Sequence, residues 1–167
     1  PQLSKLPQSL LHKTSCSTKW PSEDADAWAF ASFSDLHLGH RRVDVIDMLR
    51  GLEESIFKSG LLGYIRILFL AGDVFDRLLS LDDPSIHHID LFISKLLRAC
   101  FDHGVIIRVM EGTPSHDRKQ SKRFETIENM IKTGVDLAYV TETSIEYIPS
   151  LQAHVLYVPD EAHPTTI

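Results

Sequence analysis

Long hydrophobic runs are missing from this chain of 167 residues. The longest, Ile65-Arg66-Ile67-Leu68-Phe69-Leu70-Ala71, is interrupted by Arg66. A bilayer-spanning helix needs about 20 apolar residues, so this run suits a buried strand instead. Cysteine is scarce too. Cys16 and Cys100 stand far apart and in no metal-type spacing. That excludes a disulfide scaffold and points to a reducing compartment, the cytoplasm or another intracellular one. Excess positive charge is the third absence. With 17 Lys and Arg against 23 Asp and Glu, the formal net charge is −6. Proteins that passively coat nucleic acid are normally basic. An enzyme acting on phosphates remains open, because divalent ions make a site locally positive.

What the chain has is a globular composition, 43% hydrophobic and 24% charged. That supports a core in one domain, or in part of a larger one. The first residue is proline, not methionine, which suggests a processed product or a fragment. Residues 1–27 are rich in Ser, Pro, Lys and Thr, lack Arg, and show no sustained period. They read as a loose leader without the apolar stretch of a secretory signal. The domain itself is expected over residues 28–167.

From Trp28 the pattern becomes regular. Trp28 to Phe33 reads as a buried strand ending in Ser34-Asp35. Val45, Leu49, Leu52 and Ile56 recur at helical spacing, so residues 41–59 are expected to form an amphipathic helix. Tyr64–Ala71 is a second strand. Pro84 opens a second helix, capped by Asp82 or Asp83, with Ile89, Phe92, Leu96 and Cys100 as its buried stripe. Val105–Met110 is a third strand and Lys122–Lys132 a third helix. Leu137–Val140, Ser144–Ile148 and His154–Val158 are further strand candidates. Strands alternating with helices of this length imply an α/β fold with parallel pairing and right-handed crossovers. Working residues in such sheets gather at the carboxyl ends of the strands.

Those three ends are Ser34-Asp35-Leu36-His37, Gly72-Asp73-Val74-Phe75-Asp76-Arg77 and Glu111-Gly112-Thr113-Pro114-Ser115-His116-Asp117. All carry Asp and two carry His. Carboxylates and imidazoles together suit Mn, Fe or Zn. Asp35 and His37 are two apart, so in an extended segment they point the same way and grip one ion together. Asp73 arrives at the same sheet edge one strand–helix–strand unit later, and a carboxylate can bridge two cations. His116 follows after another such unit.

These motifs resemble those of the calcineurin-like metallophosphoesterases, D-x-H, G-D-x-x-D and G-N-H-(D/E). The run Ser34-Asp35-Leu36-His37-Leu38-Gly39-His40, with Gly-Asp-Val-Phe-Asp, is most similar to the DNA-repair nuclease branch, the SbcD-type exonucleases. The resemblance covers about residues 28–160. It implies a layered fold of β-sheets flanked by helices, and two divalent ions, most often Mn, with Fe, Zn or Mg as alternatives. Asp35 and His37 would hold the first ion and Asp73 would bridge both. Hydroxide activated by the two ions would attack phosphorus in line. His116 would protonate or stabilise the leaving oxygen, and Asp117 would orient His116. DNA is the implied substrate. A homodimer and an SbcC-type ATPase are the implied partners, and no membrane is involved.

This sequence departs from that pattern in two places. Ser115 stands where the family has the Asn ligand of the second ion, with Thr113-Pro114 inserted before it. The chain also reaches Ile167 without the family's remaining histidine motifs, which His154 and His163 do not match. The expectation is therefore an N-terminal portion of a phosphoesterase domain, with an exposed strand edge, poor stability and weak activity on its own.

Around these motifs the readings stay open. His40 either touches a substrate phosphate or is a solvated residue at a helix start. Arg77 either binds phosphate with its fork or forms a surface salt bridge. Asp76 orients the metal shell or the turn. His87 and His88 read as surface residues. Lys119, Lys122 and Arg123 either steer a DNA backbone or form a solvated helix face. Three functions are compatible with the sequence: a DNA exo- or endonuclease, a phosphoesterase acting on a small ester, nucleotide or phosphoprotein, and a catalytically incomplete binding or scaffold fragment.

Overall fold

Four short apolar segments lie side by side in the computed structural model, which describes residues 30–160. They are β1 (Phe30–Phe33), β2 (Ile67–Ala71), β3 (Ile106–Met110) and β4 (Leu137–Val140). All pair in parallel, in the order β1-β2-β3-β4. The connections carry helices, as the alternating pattern requires. These are α1 (Val45–Glu53), α2 (Pro84–His103) and α3 (Arg123–Ile131). The protein is thus a mixed α/β structure with a four-strand parallel sheet flanked by helices.

Successive strand side chains point to opposite faces, and the two faces are covered differently. Leu68, Leu70, Ile107 and Val109 share one core with Leu49 of α1, Ile89, Ile93 and Leu97 of α2, and Phe124 of α3. The alternate residues Ile67, Phe69 and Ile106 form a smaller cluster with Ile148 and Leu151. That cluster belongs to an antiparallel hairpin of β5 (Ser144–Ile148) and β6 (Ala153–Tyr157).

The helix ends follow their local chemistry. Asp83, not Asp82, caps α2: its carboxylate accepts the Ser85 N–H, and Pro84 occupies the first turn. The expected stripe Ile89, Phe92, Leu96 and Cys100 is buried throughout. Burial pushes the Cys100 thiol up to about 12, so it behaves as a small core residue. The first helix begins at Val45, not at residue 41, because the Asp44 carboxylate caps it by accepting the Ile46 N–H. It then continues through Glu54–Lys58 as a π-helical turn.

One strand departs from its expected environment. Among the described residues β1 lies at the sheet edge with a single neighbour, so Phe30 stays 54% exposed and the strand is only half covered. The last strand runs Ala153–Tyr157, one residue earlier than its pattern suggested. The segment expected to be a leader, with Cys16, falls outside the described residues, as does His163. Among the described residues no helix is long and apolar enough to cross a membrane.

The hairpin is joined to the sheet by charge. Arg108 of β3 is only 4% exposed. Its Nε donates to Glu146 Oε2 at 2.9 Å and its second terminal nitrogen to Oε1 at 2.7 Å. The remaining nitrogen donates to Asp136 Oδ1 at 2.9 Å. Tyr157 completes the joint by donating its hydroxyl to Glu146.

Candidate metal centre

The loops that follow β1 and β2 continue to pair beyond the strand ends. The Asp35 N–H donates to Gly72 O at 3.2 Å, His37 N–H to Asp73 O at 3.0 Å, and Leu38 N–H to Val74 O at 2.8 Å. This side-by-side course demands unusual backbone. Asp35, His37 and Asp73 adopt positive φ values of 53°, 48° and 50°. Asp and His are among the few side chains enriched in that left-handed region. Functional sites are where such strain is commonly held. Gly112, at the end of β3, serves a different need. A Cβ there would lie 2.1 Å from the Asp73 nitrogen and 2.4 Å from its Oδ1. Only glycine lets the third loop approach the second this closely.

The three loops bring His37, Asp73 and His116 together, with ligand atoms all within 4.8 Å of one another. The two imidazole rings meet edge to face, 4.8 Å between centroids. His116 Nδ1 lies 3.2 Å from Asp73 Oδ2. The other oxygen, Oδ1, accepts the Thr113 N–H at 2.7 Å and the Thr113 hydroxyl at 3.0 Å. Burial opposes ionisation of Asp73. The two Thr113 hydrogen bonds and His116 outweigh it and hold the carboxyl below its ordinary range. It is therefore an anion whose Oδ2 faces the imidazoles.

His37 supplies the test of fit. Its Nδ1 lies 3.3 Å from Asp76 Oδ1, yet it is buried and makes no hydrogen bond. Buried polar atoms are rarely left in that state. Two imidazoles, one held beside a carboxylate, and a second ionised carboxylate make a donor set suited to Mn, Fe or Zn. The residues fit a divalent ion.

Not every expected residue joins the group. Asp35 is exposed and faces the neighbouring cleft between β1 and α1. The premise of an extended segment fails there, because both Asp35 and His37 are left-handed. Asp117 does not orient His116. It is fully buried, and its two oxygens accept the Phe75 N–H at 2.8 Å and the Gly112 N–H at 2.7 Å. Burial raises its pKa against those bonds. Asp117 is a clamp between the second and third loops, and Asp73 is the carboxylate that meets His116. Ser115 is exposed and reaches the site only through Thr113, 3.3 Å between hydroxyls.

The flanking residues sort themselves as well. Asp76 stands beside His37, with Oδ1 3.3 Å from its Nδ1. Arg77 donates to Gly39 O and forms a half-buried ion pair with Asp83, so its fork is engaged in structure. His40 Nδ1 accepts the Arg42 N–H in the turn that precedes α1. Arg123 is bound to Asp90, whereas Lys119 and Lys122 are exposed. His87 and His88 are exposed on α2.

Thr113, which the motif comparison treats as part of an insertion, is the contact of the candidate site that sequence reasoning misses, since it binds Asp73 Oδ1 through both N–H and hydroxyl. The available signal was a hydroxyl residue directly after a strand-end glycine. Glu111, buried at the end of β3, is the second. It accepts the Lys119 N–H at 2.6 Å and so braces the loop that carries His116.

No protein-family model matches this chain, and no curated protein matches it as a relative.

Proposed function

We propose that this protein is a metal-dependent phosphoester hydrolase whose ion is held at His37, Asp73 and His116. The convergence of these three residues from three separate strand ends carries the reading. The sequence pattern around them supports it independently. An ion held there supplies Lewis acidity toward a phosphoryl oxygen and charge for the in-line displacement at phosphorus. Asp73 contributes the anionic donor, kept ionised and aimed by Thr113. Asp76 stands 3.3 Å from His37 Nδ1 and contributes negative charge beside that ring. His116 is the most open of the three. With Nδ1 beside Asp73 Oδ2 and serving the ion, its Nε2 would keep the ring hydrogen and donate a hydrogen bond to the leaving oxygen. The second ion that the sequence resemblance implies finds no comparable donor set among the described residues, because Asp35 faces the β1–α1 cleft and Ser115 meets the trio through Thr113.

The motif pattern favours DNA phosphodiesters as substrate and Mn as the ion, with a homodimer and an SbcC-type ATPase as partners. The charge distribution favours a second reading, a small phosphoester. Arg77 and Arg123, two of the cations expected to meet a nucleic-acid backbone, are tied into ion pairs with Asp83 and Asp90. Assays with Mn on linear duplex DNA and on small phosphoesters separate the two. Either way, Asp73→Asn should lower turnover by roughly 100-fold or more and weaken Mn binding measured by calorimetry. Undiminished turnover in that variant sinks the assignment. Stoichiometric Mn binding with no turnover of any ester would identify a binding module instead.

A further inference from the structure

Beside the trio a cleft of about 340 Å³ opens between the end of β1 and helix α1. Its apolar lining is Phe33, Leu36, Met48 and Leu52, and its acidic groups are Asp35 and Asp47. Among the described residues no Lys, Arg or His lines it. Asp47 is already paired with Arg50 at 2.7 Å, which leaves Asp35 as the free acceptor. Asp35 also joins the cleft to the trio, because its N–H is bonded to Gly72 O, next to Asp73. The π-helical turn of Glu54–Lys58 borders the same cleft through Ser55. Such turns recur at functional sites.

We infer that this cleft seats the uncharged organic part of a small phosphoester, an apolar group bearing hydroxyl donors, with a nucleoside as the representative case. The inference rests on the phosphoester reading of the trio and names its substrate class. The volume falls in the range of small-ligand sites, and an apolar lining with few polar groups is their usual character. The Asp35 carboxylate accepts sugar-type hydroxyls. Among the described residues a continuing phosphate backbone meets two carboxylates here and no cation, so the cleft disfavours it.

Gly51 provides the test. It lines the cleft, and a Cβ built on it meets nothing within 4 Å. Gly51→Leu fills the cleft from inside a helix, where leucine is the better helix former. Gly51→Ala, which leaves most of the space, is its companion. Binding of thymidine alone, without metal or phosphate, is followed by saturation-transfer NMR. Wild type and Gly51→Ala should bind, and Gly51→Leu should lose about tenfold or more in affinity while its thermal melt stays cooperative. Turnover with Mn is then compared between thymidine 5′-(p-nitrophenyl phosphate) and methyl p-nitrophenyl phosphate. In Gly51→Leu the ratio of the two kcat/KM values should fall about tenfold. Absence of thymidine binding to wild type, equal binding by a folded Gly51→Leu, or an unchanged ratio overturns the inference. If thymidine binds but neither ester turns over, the cleft stands as a ligand site and the phosphoesterase reading of the trio falls.

Discussion

Two buried or half-buried charges on adjacent strands meet opposite fates in this molecule. Arg108 faces the hairpin, and every nitrogen of its fork has an acceptor among Glu146, Asp136 and the Ile107 carbonyl. Asp73 follows β2; its Oδ1 accepts two hydrogen bonds from Thr113, while Oδ2 has His116 alone at 3.2 Å. Complete satisfaction makes a joint, because nothing remains to offer a ligand. Incomplete satisfaction makes a site, because the remaining capacity is aimed at a place where another group can stand. The backbone agrees with this division. The joint sits on regular strands, while the site sits on left-handed residues and a glycine pressed against its neighbour.

Breaking the site loops should have the larger effect. Gly112→Ala forces a methyl group into Asp73, and we expect a loss of about 3 kcal/mol or more in urea unfolding, with Mn binding abolished. A folded variant with normal Mn affinity would show that the loops are not locked together. The joint should be weaker. Arg108→Met leaves Glu146 and Asp136 partly exposed and able to rehydrate, so about 2 kcal/mol should be lost. Mn binding should be unchanged, which separates the two regions in a single pair of measurements.

The smallest effect lies in the acid dependence of that joint. Hydrogen bonds from Arg108 hold Glu146 below its ordinary value of 4.5, against the cost of burying it. A carboxyl with a lowered folded pKa stabilises fully above its unfolded pKa and loses that contribution as pH falls through the folded one. Stability should therefore begin to decline below about pH 4.5 from this source. With the Glu146 side chain 37% exposed, solvent screening keeps the contribution under about 1 kcal/mol. Glu146→Gln should flatten that part of the stability curve. An unchanged slope would assign the acid sensitivity to other carboxyls.

The parallel sheet and its helices were legible because their signals are periodic. Ile89, Phe92, Leu96 and Cys100 announced one buried face of α2, and Asp83-Pro84 announced its start. The trio was legible in part, because parallel topology sends every strand end to one edge. Its partners were not. Whether Asp117 turns to His116 or to two backbone N–H groups depends on how close the second and third loops run, which no spacing encodes. Asp35 was misplaced for a related reason: the two-residue alternation holds for extended chain, and this loop is left-handed. Arg108 was hidden inside an apolar run because its carboxylate partners, Asp136 before β4 and Glu146 on the hairpin, are distant in sequence.

The left-handed backbone at Asp35, His37 and Asp73 narrows what mutation can do at the site. Every side chain there must pass two filters, one chemical and one conformational, and a β-branched residue fails the second outright. Asparagine passes the conformational filter with ease and fails the chemical one. A single-step exchange of Asp for Asn at residue 73 would keep the backbone conformation while removing the carboxylate that the proposed ion needs. Selection on folding alone would then be blind to that change, and only selection on a function that uses the carboxylate would see it.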